Sequence, residues 1–265
     1  HLTRYLYFLE EVKITLIDSI LRKKSLKECY FWISEIYYSG FKIECIQLLL
    51  KIYYDFYHLL NPKLIKKITT FIKISINHDY SIEPLCSIIN LLYNNETCPD
   101  LFIIRTAPLR GKKNINNIEN VLLSQLKKNN CLKVHYYIRQ LYDIDFNKCI
   151  EILEKFTKTK FVDNIFYDDK LHLLLVFSCK IYNNKKMRTK MANRTKNDAF
   201  VKKINKPSIY VYKTLREKRI FSISTDIGCF KLGTNENNFD KYKSLSDHWE
   251  YYSKDTPLWS DRFEK

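Results

Sequence analysis

The sequence predicts a mainly α-helical chain, and three observations carry that prediction. Apolar residues recur at spacings of three and four through the first 182 positions, with capping residues and stops between the periodic stretches. Nine such stretches, each about twenty residues with its turn, fill those positions. Hydrophobic residues make up 46% of the chain, enough to build a buried core.

The first helical face is expected from Tyr5, Leu9, Val12, Leu16 and Ile20, ending in the cations Arg22, Lys23 and Lys24, which suit the negative end of a helix dipole. Ser25-Leu26-Lys27-Glu28 reads as a capping box, with the serine accepting from a free N–H and the glutamate reaching back. The helix it opens runs to Tyr38, and Gly40 supplies a left-handed stop. A third helix sets Cys45, Leu48, Leu49, Ile52, Phe56 and Leu59 on one side and ends at Asn61-Pro62, where Asn61 can cap and Pro62 can open a fourth with Leu64, Ile65, Ile68 and Ile72. Ser81 and Pro84 open a fifth around Leu85, Ile88, Ile89 and Leu92.

Residues 94–117 lose this regularity and read as a long, basic surface connection with Arg105, Arg110, Lys112 and Lys113, its one ordered candidate being Leu101 to Arg105. Helical patterns resume at Ile118 to Lys128, Cys131 to Tyr142, Phe146 to Phe156 behind the cap Asp145, and Asp168 to Tyr182. Nine helices at about twenty residues each give the pitch of an irregular HEAT-like or armadillo-like array, but no residue-level repeat recurs, so a compact irregular helical bundle stands as its rival.

Composition changes at Lys180. From there to Lys206 eight Lys and two Arg face one acid, Asp198, for +9 of the chain's +16. Such a run cannot bury apolar surface and repels itself, so it should order only against an anionic partner. Residues 1–182 are thus a helical-repeat-like domain, 183–206 a basic linker or loop, and 207–265 a small appended region. In the last, Ser208 to Tyr212 and Arg219 to Ser224 alternate as strands, with a third piece possible at Gly228 to Leu232. A hairpin of that size must pack on the helices. Two capped turns close the chain, Ser246-Asp247 before His248 to Tyr252 and Thr256-Pro257 before Leu258 to Phe263. The aromatic residues Trp249, Tyr252, Trp259 and Phe263 there either dock on the chain's own helices, the favoured reading, or anchor a partner.

The strongly basic balance points to nucleic acid, anionic lipid or an acidic protein face. The charge run lacks an amphipathic apolar face, which places nucleic acid, RNA or DNA, ahead of membrane. Its contacts would be Lys185, Lys186, Arg188, Lys190, Arg194, Lys196, Lys202 and Lys203, each releasing counterions at a phosphate. Scarce glycine argues against Walker and dinucleotide loops. Eight scattered cysteines, with no C-x-x-C or H-E-x-x-H, read as reduced packing residues, and no metal or cofactor is expected. No stretch approaches the eighteen or so apolar residues that span a bilayer, and no signal-peptide pattern opens the chain, so a cytoplasmic protein or fragment is expected.

Three weaker constellations remain. Asp168-Asp169 with His172 could act as an acid–base pair or as two metal ligands. Cys131 and His135, four apart, could form a nucleophile pair, though buried packing fits better. The tyrosines Tyr37, Tyr38, Tyr53, Tyr54, Tyr57, Tyr136 and Tyr137 could stack on unpaired bases wherever they are exposed beside Lys or Arg. None of these names a reaction, and a non-enzymatic scaffold is expected, with an enzyme lacking a linear motif as an alternative.

Glu28 to Phe41 (ECYFWISEIYYSGF), together with Trp249 to Tyr252 (WEYY) and Thr256 to Trp259 (TPLW), resembles uncharacterised proteins of large cytoplasmic DNA viruses. The resemblance implies a host-cytoplasm or virion setting and a basic helical protein in virion architecture, genome packaging, transcription or capture of host messenger RNA. It implies no activity and carries over no functional residue. A structural virion or assembly component, its basic run against an acidic neighbour and its aromatic tail as anchor, is the alternative to nucleic-acid binding.

Overall fold

The computed structural model describes residues 1–106, 117–128, 130–179 and 247–264, with only the backbone at 131 and 132. The described residues form twelve α-helices and a single isolated bridge between Leu2 and Phe8. The chain is therefore mainly helical. The strands expected at 208–224, the piece at Gly228 to Leu232 and the basic run lie outside the described residues. The described residues divide into two compact units, one from residues 1–53, 63–97 and 247–264, the other from 54–62 and 98–179.

Unit 1 holds α1 (Leu9–Leu21), α2 (Leu26–Tyr38), most of α3 (Lys42–Phe56), α4 (Leu64–Asn77) and α5 (Glu83–Tyr93). Here α5 packs against α1, α2 and α4, and α1 against α2. The helical spacing puts Val12, Leu16, Ile20, Trp32, Ile36, Leu49, Ile72, Ile88 and Leu92 out of water at 0% exposure. α1 begins at Leu9, so Tyr5 is not on its face as expected. Residues 1–8 instead fold back on themselves, with Leu6 at φ 60° and Thr3 N donating to Tyr7 O at 2.7 Å, which buries Tyr7. Ser25 caps α2 by accepting from Glu28 N at 3.2 Å. The Glu28 carboxylate does not reach back as a capping box requires, because Lys24 and Ser19 hold it at 3.1 and 3.2 Å. Gly40 ends α2 at φ +96°. α4 starts later than expected, with Lys63 at its N-cap position and no side-chain cap, so Asn61 does not cap it.

Unit 2 holds α6 (Asp100–Thr106), α7 (Ile118–Lys127), α8 (Cys131–Tyr142), α9 (Phe146–Thr157) and α10 (Lys170–Ser178). Leu101 to Arg105, an isolated candidate in the sequence, thus belongs to a helix, α6. α10 packs against α6, α8 and α9, and every residue from His172 to Ser178 is buried. A helix apolar on all sides belongs inside a bundle, not on its surface. Asp145 and Asp169 cap α9 and α10, each accepting from the backbone N–H three residues on at 2.8 Å.

The chain closes in unit 1 with α11 (Trp249–Ser253) and α12 (Pro257–Phe263). Trp259 Nε1 donates to Thr3 O at 3.1 Å and Leu258 N to Ser39 O at 3.3 Å. Thr256 sits at the α12 N-cap but its hydroxyl donates to Leu2 O instead of capping. Pro257 lies over Gly40, where a Cβ would stand 2.5 Å from Pro257 Cβ. Glycine is therefore required at 40 twice over, by its φ and by this contact. No helix among the described residues is long and apolar enough to cross a membrane.

Candidate functional sites

Unit 2 contains a buried polar network. Asp55, 2% exposed, accepts from Arg105 Nε at 2.8 Å and Nη2 at 2.6 Å, a bidentate fork. His172 Nε2 lies 3.2 Å from Asp55 Oδ1 without hydrogen-bond alignment, while its Nδ1 is 2.7 Å from Tyr167 Oη. Arg139 donates to the Arg105 carbonyl, and Asn164 Nδ2 donates to Tyr54 Oη at 2.9 Å. Burial alone would raise the Asp55 pKa, but His172 and Arg105 hold its carboxyl below the usual carboxylate range. Burial likewise opposes the Arg105 charge, and Asp55 more than restores it, leaving that pKa raised. The Tyr167 phenol is pushed up, first by burial and then by Asp169 and Asp55.

This arrangement replaces the expected Asp168-Asp169/His172 pair. Asp169 is spent on capping α10 through His172 N, and the His172 ring turns to Tyr167 and Asp55 instead. Asp55, His172 and Tyr167 are at most 3% exposed, so in this conformation the cluster cannot touch a substrate. Its chemistry is to hold residues 54–56, α6 and α10 together in unit 2. Arg105, expected on a basic surface connection, is mostly buried here. A signal was present in the sequence: Asp55 sits in the apolar stretch Ile52 to Tyr57, and a carboxylate buried there requires a cationic partner.

His135 is fully buried on α8. Its Nε2 lies 3.0 Å from Ser178 Oγ and 3.6 Å from Cys179 Sγ, while Nδ1 has no partner. Ser178 Oγ donates to Leu175 O at 2.7 Å, so the serine proton is committed to a carbonyl and is not offered to the imidazole. A nucleophile pair needs the opposite arrangement. The Cys131 side chain lies outside the described residues. Burial lowers the His135 pKa to about 3, with Arg139 and His172 adding to the shift. The unfolded histidine takes up a proton near pH 6.5 and the folded one does not, so stability falls as pH drops from 6.5 towards 3. The expected loss is about 1 kcal/mol per pH unit, read from urea midpoints across that range, and His135→Gln should flatten the slope. Equal slopes for parent and variant would remove His135 as the cause.

The expected tyrosine surfaces divide by burial. Tyr53, Tyr54 and Tyr57 are core at 0–5% exposure, Tyr37, Tyr136 and Tyr137 are half-buried, and Tyr38 is 49% exposed. In the tail, Trp249 and Trp259 meet edge to face at 5.4 Å and both contact Phe263. Both tryptophans are half-buried, whereas Tyr252 and Phe263 remain 38% and 46% exposed. The eight cations of the run from Lys185 to Lys203 lie outside the described residues.

A further basic surface lies on α4. Lys63, Lys66, Lys67 and Lys73 are exposed, with no acid between Pro62 and Asp79. At 3.6 residues per turn they fall with Thr70, Ile74 and Asn77 within an arc of about 120°, opposite the buried Ile68, Ile72 and Ser75. Their side chains make no ion pair or hydrogen bond among the described residues, unlike Lys24 with Asp18 and Glu28, or Lys148 with Glu119 and Glu151. Three of the four sit in or beside the first turn, where the helix dipole disfavours cations. Sequence reading used α4 only for its apolar face; the acid-free lysine spacing was the available signal.

Among the described residues no group of three or more His, Cys, Asp or Glu side chains could hold a metal ion. Cys29, Cys45, Cys86, Cys98, Cys149 and Cys179 form no disulfide among the described residues, and burial raises the Cys29 and Cys149 thiols to about 11 and about 12. No protein family, curated protein or solved structure matches the chain.

Proposed function

We propose that the chain is a non-enzymatic helical scaffold that holds nucleic-acid backbone, RNA or DNA, alongside a protein partner, in the host-cytoplasm or virion setting that the sequence resemblance implies. The observation that carries this reading is the α4 face, where Lys63, Lys66, Lys67 and Lys73 stand unpaired and three of them crowd the positive end of the helix. Such a placement is unfavourable in the free protein and is relieved by an anion. From Lys63 to Lys73 is about 15 Å of helix, the length over which one duplex strand presents about four phosphates. The run from Lys185 to Lys203 adds cations of the same sign and needs no fold to act. Phosphate contacts of this kind position a ligand without reading its sequence.

The test is the slope of log affinity against log salt for a labelled duplex. Changing Lys63, Lys66, Lys67 and Lys73 to Gln should reduce that slope by about 3–4, at about 0.9 per lost phosphate contact. Changing the eight cations of the run should flatten it further. An unchanged slope in both variants would sink the assignment.

A second reading, an assembly component held by an acidic protein neighbour, is favoured by the exposed Tyr251, Tyr252 and Phe263 on the docked tail. A complex that survives nuclease treatment would select it.

A further inference from the structure

The α4 lysines account for backbone contact with any nucleic acid, but a second surface in unit 1 has the chemistry to distinguish unpaired bases from paired ones. We propose that Arg4, Tyr5 and Tyr38, flanked by Phe31 and Tyr37, form a stacking platform for bases of single-stranded nucleic acid. The proposal rests on the nucleic-acid reading above and adds the strandedness of the ligand.

Sequence separation hides the platform, since Arg4 and Tyr5 come from the folded-back N-terminal segment and Tyr38 from the last turn of α2. The Arg4 guanidinium carbon lies 4.8 Å from the Tyr5 ring centre and 4.9 Å from the Tyr38 ring centre. Tyr5 in turn stacks on Phe31 at 6.3 Å with the planes 10° apart, and Tyr37 meets Tyr38 edge-on at 4.9 Å. These contacts make a continuous run of π surface. Tyr5 is 38% and Tyr38 49% exposed, so both rings keep area for a ligand.

The platform is held in place before any ligand arrives. Glu35, 0% exposed, accepts from Arg4 Nε at 2.7 Å and from Tyr5 N at 2.9 Å. Arg4 N donates to Ser39 Oγ at 2.8 Å, and the docked tail ties down the same segment through Thr3 and Leu2. A fixed aromatic surface loses little conformational freedom on binding. Glu35 is buried and already paired with Arg4, so its charge is screened from a phosphate, and the exposed Asp79 near Tyr37 is paired with Lys42.

The chain's net charge of +16 favours nucleic acid as the occupant. Lys42 Nζ lies 5.6 Å from the Tyr37 ring centre and 3.7 Å from Asp79 Oδ2, at the residue that follows α4 and His78. The aromatic run and the unpaired lysines of α4 belong to the same unit. Exposed aromatic rings on a basic chain suit sequence-tolerant single-strand binding, and duplex bases, already stacked and paired, have no free face to offer such rings.

The experiment measures binding of the full chain to fluorescein-labelled oligothymidine of about fifteen nucleotides and to a duplex of the same length, at fixed salt. Tyr38→Ala and Tyr38→Leu should each weaken single-strand binding by about 5- to 100-fold, the cost of losing one stacked base, with duplex binding unchanged. Tyr38→Phe, which keeps the ring, should bind like the parent. Because Tyr38 is half exposed and Leu retains its bulk, loss of folding does not mimic this pattern. Single-strand affinity within about twofold of the parent for Tyr38→Leu, or equal losses on single strand and duplex, would overturn the platform while leaving backbone binding intact. A parent chain that binds neither probe would overturn the nucleic-acid reading itself, and the platform with it.

Discussion

Replacing Asp55 with Ala should destabilise unit 2 by about 3–5 kcal/mol, because it leaves the Arg105 guanidinium in a largely buried position without its partner. The carboxylate also stands 3.2 Å from His172, so its loss removes the anion beside that imidazole as well. Arg105→Met should cost a similar amount by stranding Asp55. The double change Asp55→Leu with Arg105→Met should be milder than either single change, since no charge then remains buried. Thermal or urea unfolding of the three variants decides the point. Additive losses in the double variant would show that the pair is not coupled. The same network has a pH signature. Because the Asp55 pKa is lowered in the folded state, its stabilisation is complete above the unfolded value near 3.8 and is lost as pH falls through the folded value.

The second large effect is expected at Gly40. A side chain there meets both a positive φ, costing about 1–3 kcal/mol, and a Cβ contact of 2.5 Å with Pro257, costing about 1–3 kcal/mol more if nothing moves. Release of the tail is the cheaper outcome, since α12 is held by a handful of hydrogen bonds from Leu258, Trp259 and Thr256. Gly40→Ala should therefore expose the Trp249 and Trp259 cluster, seen as a red-shifted tryptophan emission and as faster proteolysis after Lys254. Adding Pro257→Gly removes the clashing atoms and should restore part of the docking. A Gly40→Ala protein with parental emission and cleavage would mean that the contact with Pro257 does not hold the tail.

How far the sequence reaches is visible in the contrast between α10 and the groups around it. The helical pattern over Asp168 to Tyr182 foretells α10, and the capping residues Asp145 and Ser25 foretell where two helices start, because these are interactions within a few residues. The Asp55–Arg105 fork joins positions fifty apart, and Trp259 meets Thr3 across 256 residues. No periodicity records such pairings. Tyr5 shows the same limit at short range: its spacing to Leu9 and Val12 is helical, yet the hydrogen bond between Thr3 and Tyr7 and the bridge from Leu2 to Phe8 take residues 1–8 into a folded-back segment. The candidate surfaces followed a similar division. That Tyr38 stands near a cation was legible only as a condition, and the fold supplies Arg4 to meet it. The lysines of α4 were legible as charge, but their shared exposed face needed the packing of Ile68 and Ile72 to be known.

The proposed binding of nucleic acid through phosphate contacts is decided by titrating the purified full chain against labelled oligonucleotide at a series of salt concentrations. The expected result is a linear fall of log affinity with log salt, with a slope of magnitude about four or more that shrinks when Lys63, Lys66, Lys67 and Lys73 become Gln. Absence of binding at low salt, or an affinity indifferent to salt, would contradict it.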